Sequence, residues 1–242
     1  MKYFFYLPLI AFFIACGTPS PNTNMTVSGS VKGLRKGTLY LQQLQDTSLV
    51  SVDSFAIRGE ENFVLGADID SEEIYFLSLK KGASDSLMTQ LPFFAEKGDI
   101  TIETQLKTFT SSAEISGSEN QVLWEEYQDM IRQFNTKSLE LLESYVKNED
   151  SLELAEKEAK FEAESNQLLK RKYLFALNFA NNHKDKVIAP YIGRYEIAQA
   201  NPKLLDTLYA NLSDEVKTST YGKALNTFLQ ESKSASETAS EN

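Results

Sequence analysis

The stretch Glu73-Ile74-Tyr75-Phe76-Leu77-Ser78-Leu79, "EIYFLSL", sets the fold class. Alternate side chains of a strand point to opposite faces, so Ile74, Phe76 and Ser78 stand against Tyr75, Leu77 and Leu79. Both faces are largely apolar, and a strand of that kind is covered on both sides. The stretch therefore predicts a central strand, with a second layer of sheet on one face and a helix over the other. Its neighbours from Thr26 to about Ser116 are also short apolar or alternating runs rich in Val, Ile, Phe, Tyr and Thr: "TVSGSV", "TLYLQQL", "LVSVDSFAI", "NFVLGA", "QLPFFAE" and "DITIET". In "TLYLQQL" Leu39 and Leu41 share one face and Tyr40 takes the other. Turn residues punctuate the runs at Gly33-Leu34-Arg35-Lys36-Gly37, Arg58-Gly59-Glu60-Glu61-Asn62, Lys81-Gly82-Ala83-Ser84-Asp85 and Glu96-Lys97-Gly98-Asp99. Seven or more strands in about ninety residues fit an antiparallel β-sandwich or barrel-like domain over residues 26–117.

After Gly117 the apolar period changes from two to that of a helix, and residues 118–231 read as a helical region. Trp124, Tyr127, Ile131, Phe134, Leu141 and Tyr145 form one stripe, and a second long helix is expected from about Asp150 to Asn181. Its charged first half offers Ala155, Ala159 and Ala163 as a narrow seam and i,i+4 pairs at Glu153/Lys157 and Glu156/Lys160. Its second half carries a stripe of Leu169, Tyr173, Ala176 and Ala180, so the pair predicts a hairpin with an exposed tip and a packed base. A helix is expected over Val187 to Ala198. Asn201-Pro202 then supplies a cap and a first-turn proline for another through Leu212, and Ser213 and Thr220 open two more. The tail from Ser232, "SKSASETASEN", lacks periodicity and is expected to be disordered. The fold class is thus α+β.

The first residues follow a different logic. Lys2 precedes an apolar run from Tyr3 through Ala15, of a length suited to a signal peptide rather than a membrane span. Phe13-Ile14-Ala15-Cys16 resembles a bacterial lipobox, with Phe13 in place of the usual Leu, and the Pro-rich stretch from Gly17 to Asn24 reads as a polar tether. This predicts residues 1–15 as a signal peptide and 16–25 as the lipidated cysteine and its tether, with Cys16 the lipid-attachment residue. Several acyl chains on one residue hold a protein at a bilayer where one chain does not. No acidic residue follows Cys16 directly, as it often does in surface-exported Bacteroidota lipoproteins, so the expected location is the outer membrane, facing the periplasm.

Composition narrows the chemistry. A net charge of −10 over 242 residues argues against nucleic acid as a partner, since phosphate backbones are repelled. With Cys16 the only cysteine, the remainder has no disulfide, no C-x-x-C pair and no thiolate metal site. His183, the only histidine, sits in "NNHKDK", read as a solvent-exposed loop without a partner for zinc. The adjacent pairs Glu60-Glu61, Glu72-Glu73 and Glu125-Glu126 diverge on a strand or helix and read as solvated faces, not as a hydrolase's carboxylate pair. No Gly-rich phosphate loop, H-E-x-x-H or G-x-S-x-G occurs. Catalytic, cofactor-binding and metal residues are accordingly none. Asp85-Ser86-Leu87, Asp150-Ser151-Leu152 and Asp206-Thr207-Leu208 fit a short Bacteroidota O-glycosylation sequon, and Trp124, Phe93 and Phe94 are aromatics that either line a groove or pack the core.

In chain order, "VSGSVKGLRKGTLYLQQLQDTSLVSVDSFAIRGEENFVLGADIDSEEIYFLSL", "FFAEKGDITIET", "ISGSENQVLWEEY" and "STYGKALNTFL" resemble a domain of unknown function. In many Bacteroidota lipoproteins of the thiol–disulfide interchange type, that domain precedes a thioredoxin-like (AhpC/TSA-type) domain. The resemblance spans about Thr26 to Phe228 and rests on apolar and turn patterns. In such relatives a segment like "YGKALNTFL" leads into a thioredoxin fold with its W-C-x-x-C motif. Here a polar tail follows, so the fold carries over and the redox activity does not. The expected function is a non-catalytic, lipid-anchored cell-envelope module that binds a ligand or protein partner and uses no cofactor. The alternative is an accessory subunit of a periplasmic thiol–disulfide pathway, working with a separate thioredoxin-like protein.

Overall fold

The computed structural model describes residues 23–82, 88–147 and 154–240, with side chains through Ala235. Eight strands come first: β1 Met25–Lys32, β2 Gly37–Gln45, β3 Ser48–Ile57, β4 Asn62–Ala67, β5 Glu73–Lys80, β6 Thr89–Ala95, β7 Gly98–Gln105 and β8 Glu114–Ser116. They form two four-stranded sheets, ordered β4-β1-β7-β8 and β3-β2-β5-β6. This is a sandwich and not a single closed barrel. The second sheet is antiparallel throughout, whereas in the first β1 runs parallel to β7, from Met25 beside Gly98 to Lys32 beside Gln105.

The alternation read from the sequence decides the core. Leu39, Leu41, Tyr75, Leu77 and Leu79 of the second sheet face Met25, Val27, Leu65, Ile100 and Ile102 of the first, all of them buried. Burying each such side chain stabilises the fold by roughly 1.5–3 kcal/mol relative to leaving it exposed. As expected, β5 is interior to its sheet. Proline at position 92 lies on β6, an edge strand, where its missing N–H costs no ladder bond. Gly29 is required in the middle of β1: its φ is +154°, and a Cβ there would lie 1.9 Å from the Ile102 carbonyl oxygen of the neighbouring strand.

Helices follow: α1 Glu119–Lys147, α2 Leu154–Asn182, α3 Ile188–Tyr191, α4 Pro202–Asn211, α5 Asp214–Thr218 and α6 Thr220–Ser240. Gly117 (φ +97°) turns β8 into α1, and a Cβ there would meet the Asp99 carbonyl oxygen at 2.1 Å. The helices build a second core that includes Phe94 from β6, with Ile74 of β5 packed against it. This is the helical cover over the far face of β5.

Several boundaries differ from the sequence expectation. Ala155, Ala159 and Ala163 are exposed. Contact in the hairpin runs instead through rings, Tyr145 stacked on Phe161 at 4.6 Å and Tyr127 on Phe175 at 6.0 Å; Ala159 and Ala163 each stand two residues from Phe161, about 200° around the helix, and so face away from that seam. Leu169 is also exposed, while Ala176 and Ala180 are buried. The described part of α2 opens at Leu154, and the expected start near Asp150 lies outside the described residues. In place of one helix over Val187 to Ala198, the four residues of α3 pass into a π-helical segment, Ile192–Glu196. The tail expected to be disordered continues α6 to Ser240. There Ser232 and Ser234 hydroxyls donate back to the Phe228 and Gln230 carbonyls, and Lys233 pairs with Asp206 of α4 at 2.7 Å.

Candidate functional site

The joint between sandwich and helices is a hydrogen-bonded knot around Glu96. This carboxylate follows β6 and accepts from the Asn120 backbone N–H (2.6 Å), the Asn120 side-chain amide (2.7 Å), the Ser118 hydroxyl (3.0 Å) and the Glu119 N–H (3.1 Å). An anion at the first turn of α1 satisfies donors that the helix itself leaves open and complements its dipole. Ser118 caps the same turn, its hydroxyl accepting from the Gln121 N–H at 3.0 Å. Gln121 Oε1 in turn accepts from the Phe94 N–H, and Asn120 Oδ1 from the Ile188 N–H. Two adjacent side chains of α1 thus bind β6 on one side and α3 on the other.

Beside this joint lies a cleft of about 410 Å³, with Ile74, Phe76 and Glu73 of β5 on one wall and Tyr191, Tyr195 and Tyr221 on the other. Short bonds hold the walls together. The Tyr221 hydroxyl accepts from the Ile74 N–H at 2.7 Å, and the Ser71 hydroxyl accepts from the Thr220 N–H at 3.2 Å. The three tyrosines are mutually in contact, with centroid separations of 5.1–5.6 Å, and Phe94 meets Tyr191 edge-on at 5.5 Å. Tyr195 is 51% exposed and sits on the π-helical segment, a local widening of the helix that recurs at functional sites. Arg194 lies between the Tyr195 and Phe228 rings, 5.0 and 4.8 Å from their centroids.

Burial shapes the titration of the cleft. It pushes the Tyr191 and Tyr221 phenols above their ordinary range, so both keep their protons at neutral pH. Glu73 is raised by burial and further by Asp70, against the hydrogen bond its Oε1 accepts from Gln43 at 2.6 Å. Glu196 is likewise raised by burial, opposed by Lys172. The arrangement offers an apolar, ring-lined slot with hydroxyl and carboxyl edges. Apolar walls with a few polar edges are the general make-up of small-molecule and recognition pockets.

The residues singled out from sequence fall as follows. Phe93 is inside the sandwich core and Phe94 inside the helical one, while Trp124 packs edge-on to Phe94 at 5.8 Å and also borders an open groove with Leu91 and Pro92. His183 is half-buried rather than solvated, its ring 4.6 Å from Phe179. Glu125 and Glu126 are exposed, as are Glu60 and Glu61, whose carboxylates accept from the Arg58 and Gly33 backbone N–H groups. Glu72-Glu73 departs from the solvated reading, because Glu73 is drawn into the cleft wall. Of the three sequons, Asp206-Thr207-Leu208 lies on α4 with Leu208 buried, and the other two lie outside the described residues, as does Cys16. The cleft tyrosines were not found from sequence. The signal available was "YIGRY", three aromatic or cationic side chains in five residues.

Residues 25–124 match the family model of a domain of unknown function, DUF4369. The matched span takes in the whole sandwich and the opening of α1, ending at Trp124 where the ring meets Phe94. No curated protein and no solved structure matches the chain. Among the described residues no helix is long and apolar enough to cross a membrane, and no cluster of His, Cys, Asp and Glu has a metal site's geometry.

Proposed function

We propose that this chain is a non-catalytic binding module, held by acyl chains on Cys16 at the outer membrane and facing the periplasm, that engages a protein partner of the cell envelope through the tyrosine cleft. The observation that carries the reading is the exposed Tyr195 at the mouth of a slot already walled by Tyr191, Tyr221 and Ile74. Tyrosine supplies a large rigid contact area with a polar tip, the combination enriched at recognition surfaces. A photo-crosslinking amino acid placed at position 195 of the membrane-bound protein tests it. A discrete adduct with one envelope protein is expected, reduced by Tyr191→Ala. A smear no different from that obtained with the crosslinker at Lys160 would overturn it. If the adduct is a thioredoxin-like protein, the module serves a thiol–disulfide pathway. The anchor is tested separately, since Cys16→Ala should release the protein from membranes.

A further inference from the structure

The strands run between two ends of the sandwich. One end holds the joint: Met25 pairs with Ala67 and Gly98, and Glu73 with Ala95. The opposite end holds the turns after β1, β3 and β5, and these bring Arg35, Lys36, Arg58, Lys80 and Lys81 around one cavity of about 590 Å³. Five of the chain's 24 basic residues therefore line a single site in a protein of net charge −10, and among the described residues no carboxylate is in the lining. None of the five makes an ion pair with a described residue, although Glu60 and Glu61 lie in the turn after β3, directed to backbone N–H groups. Like charges held together repel, and their field focuses on whatever oxyanion enters. The floor is Tyr40, Thr38 and Ala56, the outward side chains of β2 and β3 at the end of the sheet that the helices leave open.

We infer that this cavity binds a compact polyanion, a small molecule bearing two or more phosphate or carboxylate groups for the surrounding cations. Arg35 and Arg58 suit bidentate contact with such groups, and the three lysines add mobile charge. A concave site of this volume fits a small molecule better than a polymer chain. β1 spans about 25 Å, which places the cavity at the far end from Met25, where the preceding residues join the fold. A headgroup of a bilayer attached through those residues is correspondingly disfavoured. The site is separate from the tyrosine cleft and stands or falls without it.

The experiment is calorimetric titration of the purified protein with pyrophosphate and with citrate at about 50 mM salt, repeated at about 300 mM. One-to-one binding is expected, weakening at least tenfold at the higher salt and at least tenfold in Arg58→Glu/Lys80→Glu, but unchanged in Lys160→Glu on α2. Thermal unfolding provides a second readout: without anion the double variant should be at least as stable as the wild type in low salt, because a repulsion has been removed. Three results would overturn the inference: no binding of either anion at low salt, equal loss in Lys160→Glu, or binding confined to anionic vesicles or to an oligoglutamate peptide.

Discussion

The sandwich and the helical hairpin hold their side chains in opposite ways. In the sandwich two sheets close on each other and leave Val27, Leu41, Leu77 and Ile102 without solvent contact, so every part of the unit depends on every other. In the outer half of the hairpin Leu139, Val146 and Leu154 remain 67–70% exposed, and the clearest contact across it is the ring pair Tyr145/Phe161. The difference teaches that stability here is graded along the molecule, highest between the sheets and lowest at the hairpin's outer turns, with the Glu96 knot coupling the two.

The strongest way to break the comparison is Gly29→Ala. The added methyl cannot coexist with the Ile102 carbonyl at 1.9 Å, so β1 must leave β7. A loss of about 4 kcal/mol or more is expected, read as failure to give a cooperative thermal transition, and a Tm within a few degrees of wild type would refute the geometry. Next is Glu96→Ala, which strips four hydrogen bonds from one carboxylate. It should cost about 3 kcal/mol and split urea unfolding into two steps as the helices decouple from the sandwich. A single transition at the wild-type midpoint would show that the knot is not the coupling. Phe161→Ala sharpens the contrast from the other side, with a loss of about 1 kcal/mol confined to the hairpin. Hydrogen exchange should quicken in the outer turns of α1 and α2 while β5 is unaffected.

Smallest is the effect of Glu73→Gln. The folded-state pKa of Glu73 is raised above the ordinary 4.5 by burial, so between those two values the native state holds the proton that the unfolded chain releases. Stability therefore falls as pH rises through that window. The neutral amide keeps an oxygen for Gln43, removes this part of the slope and leaves the variant more stable than wild type at pH 7. Urea titrations at pH 4 and pH 7 check the sign. An unchanged difference between the two pH values would mean that Glu73 does not carry it, leaving Glu196 as the group to test.

How much of this was legible in the sequence depended on range. The strands were readable because burial on one face imposes a two-residue period, and β5 because burial on both faces removes it. The change to a helical period after Gly117 was equally local. The parallel pairing of β1 with β7 was not readable, since nothing in either strand's pattern names its neighbour across 73 residues. The alanine seam misled because small residues on a charged helix suit close packing and solvent alike, and only the opposed rings decide between them. The tyrosine cleft assembles Glu73, Tyr191, Tyr195 and Tyr221 from three distant segments, and the basic cavity uses side chains whose segments read only as turns. Both sites are products of topology, which local patterns do not encode.

The position of β1 has a mechanical meaning. Met25 is the first residue of a strand bonded on both edges, to β4 and to β7, so a pull transmitted through the residues before it acts along the strand and across its hydrogen bonds. Those bonds are loaded together as a shear joint, not opened one at a time like a zipper. The chain enters its fold through the part of the sandwich best placed to bear tension.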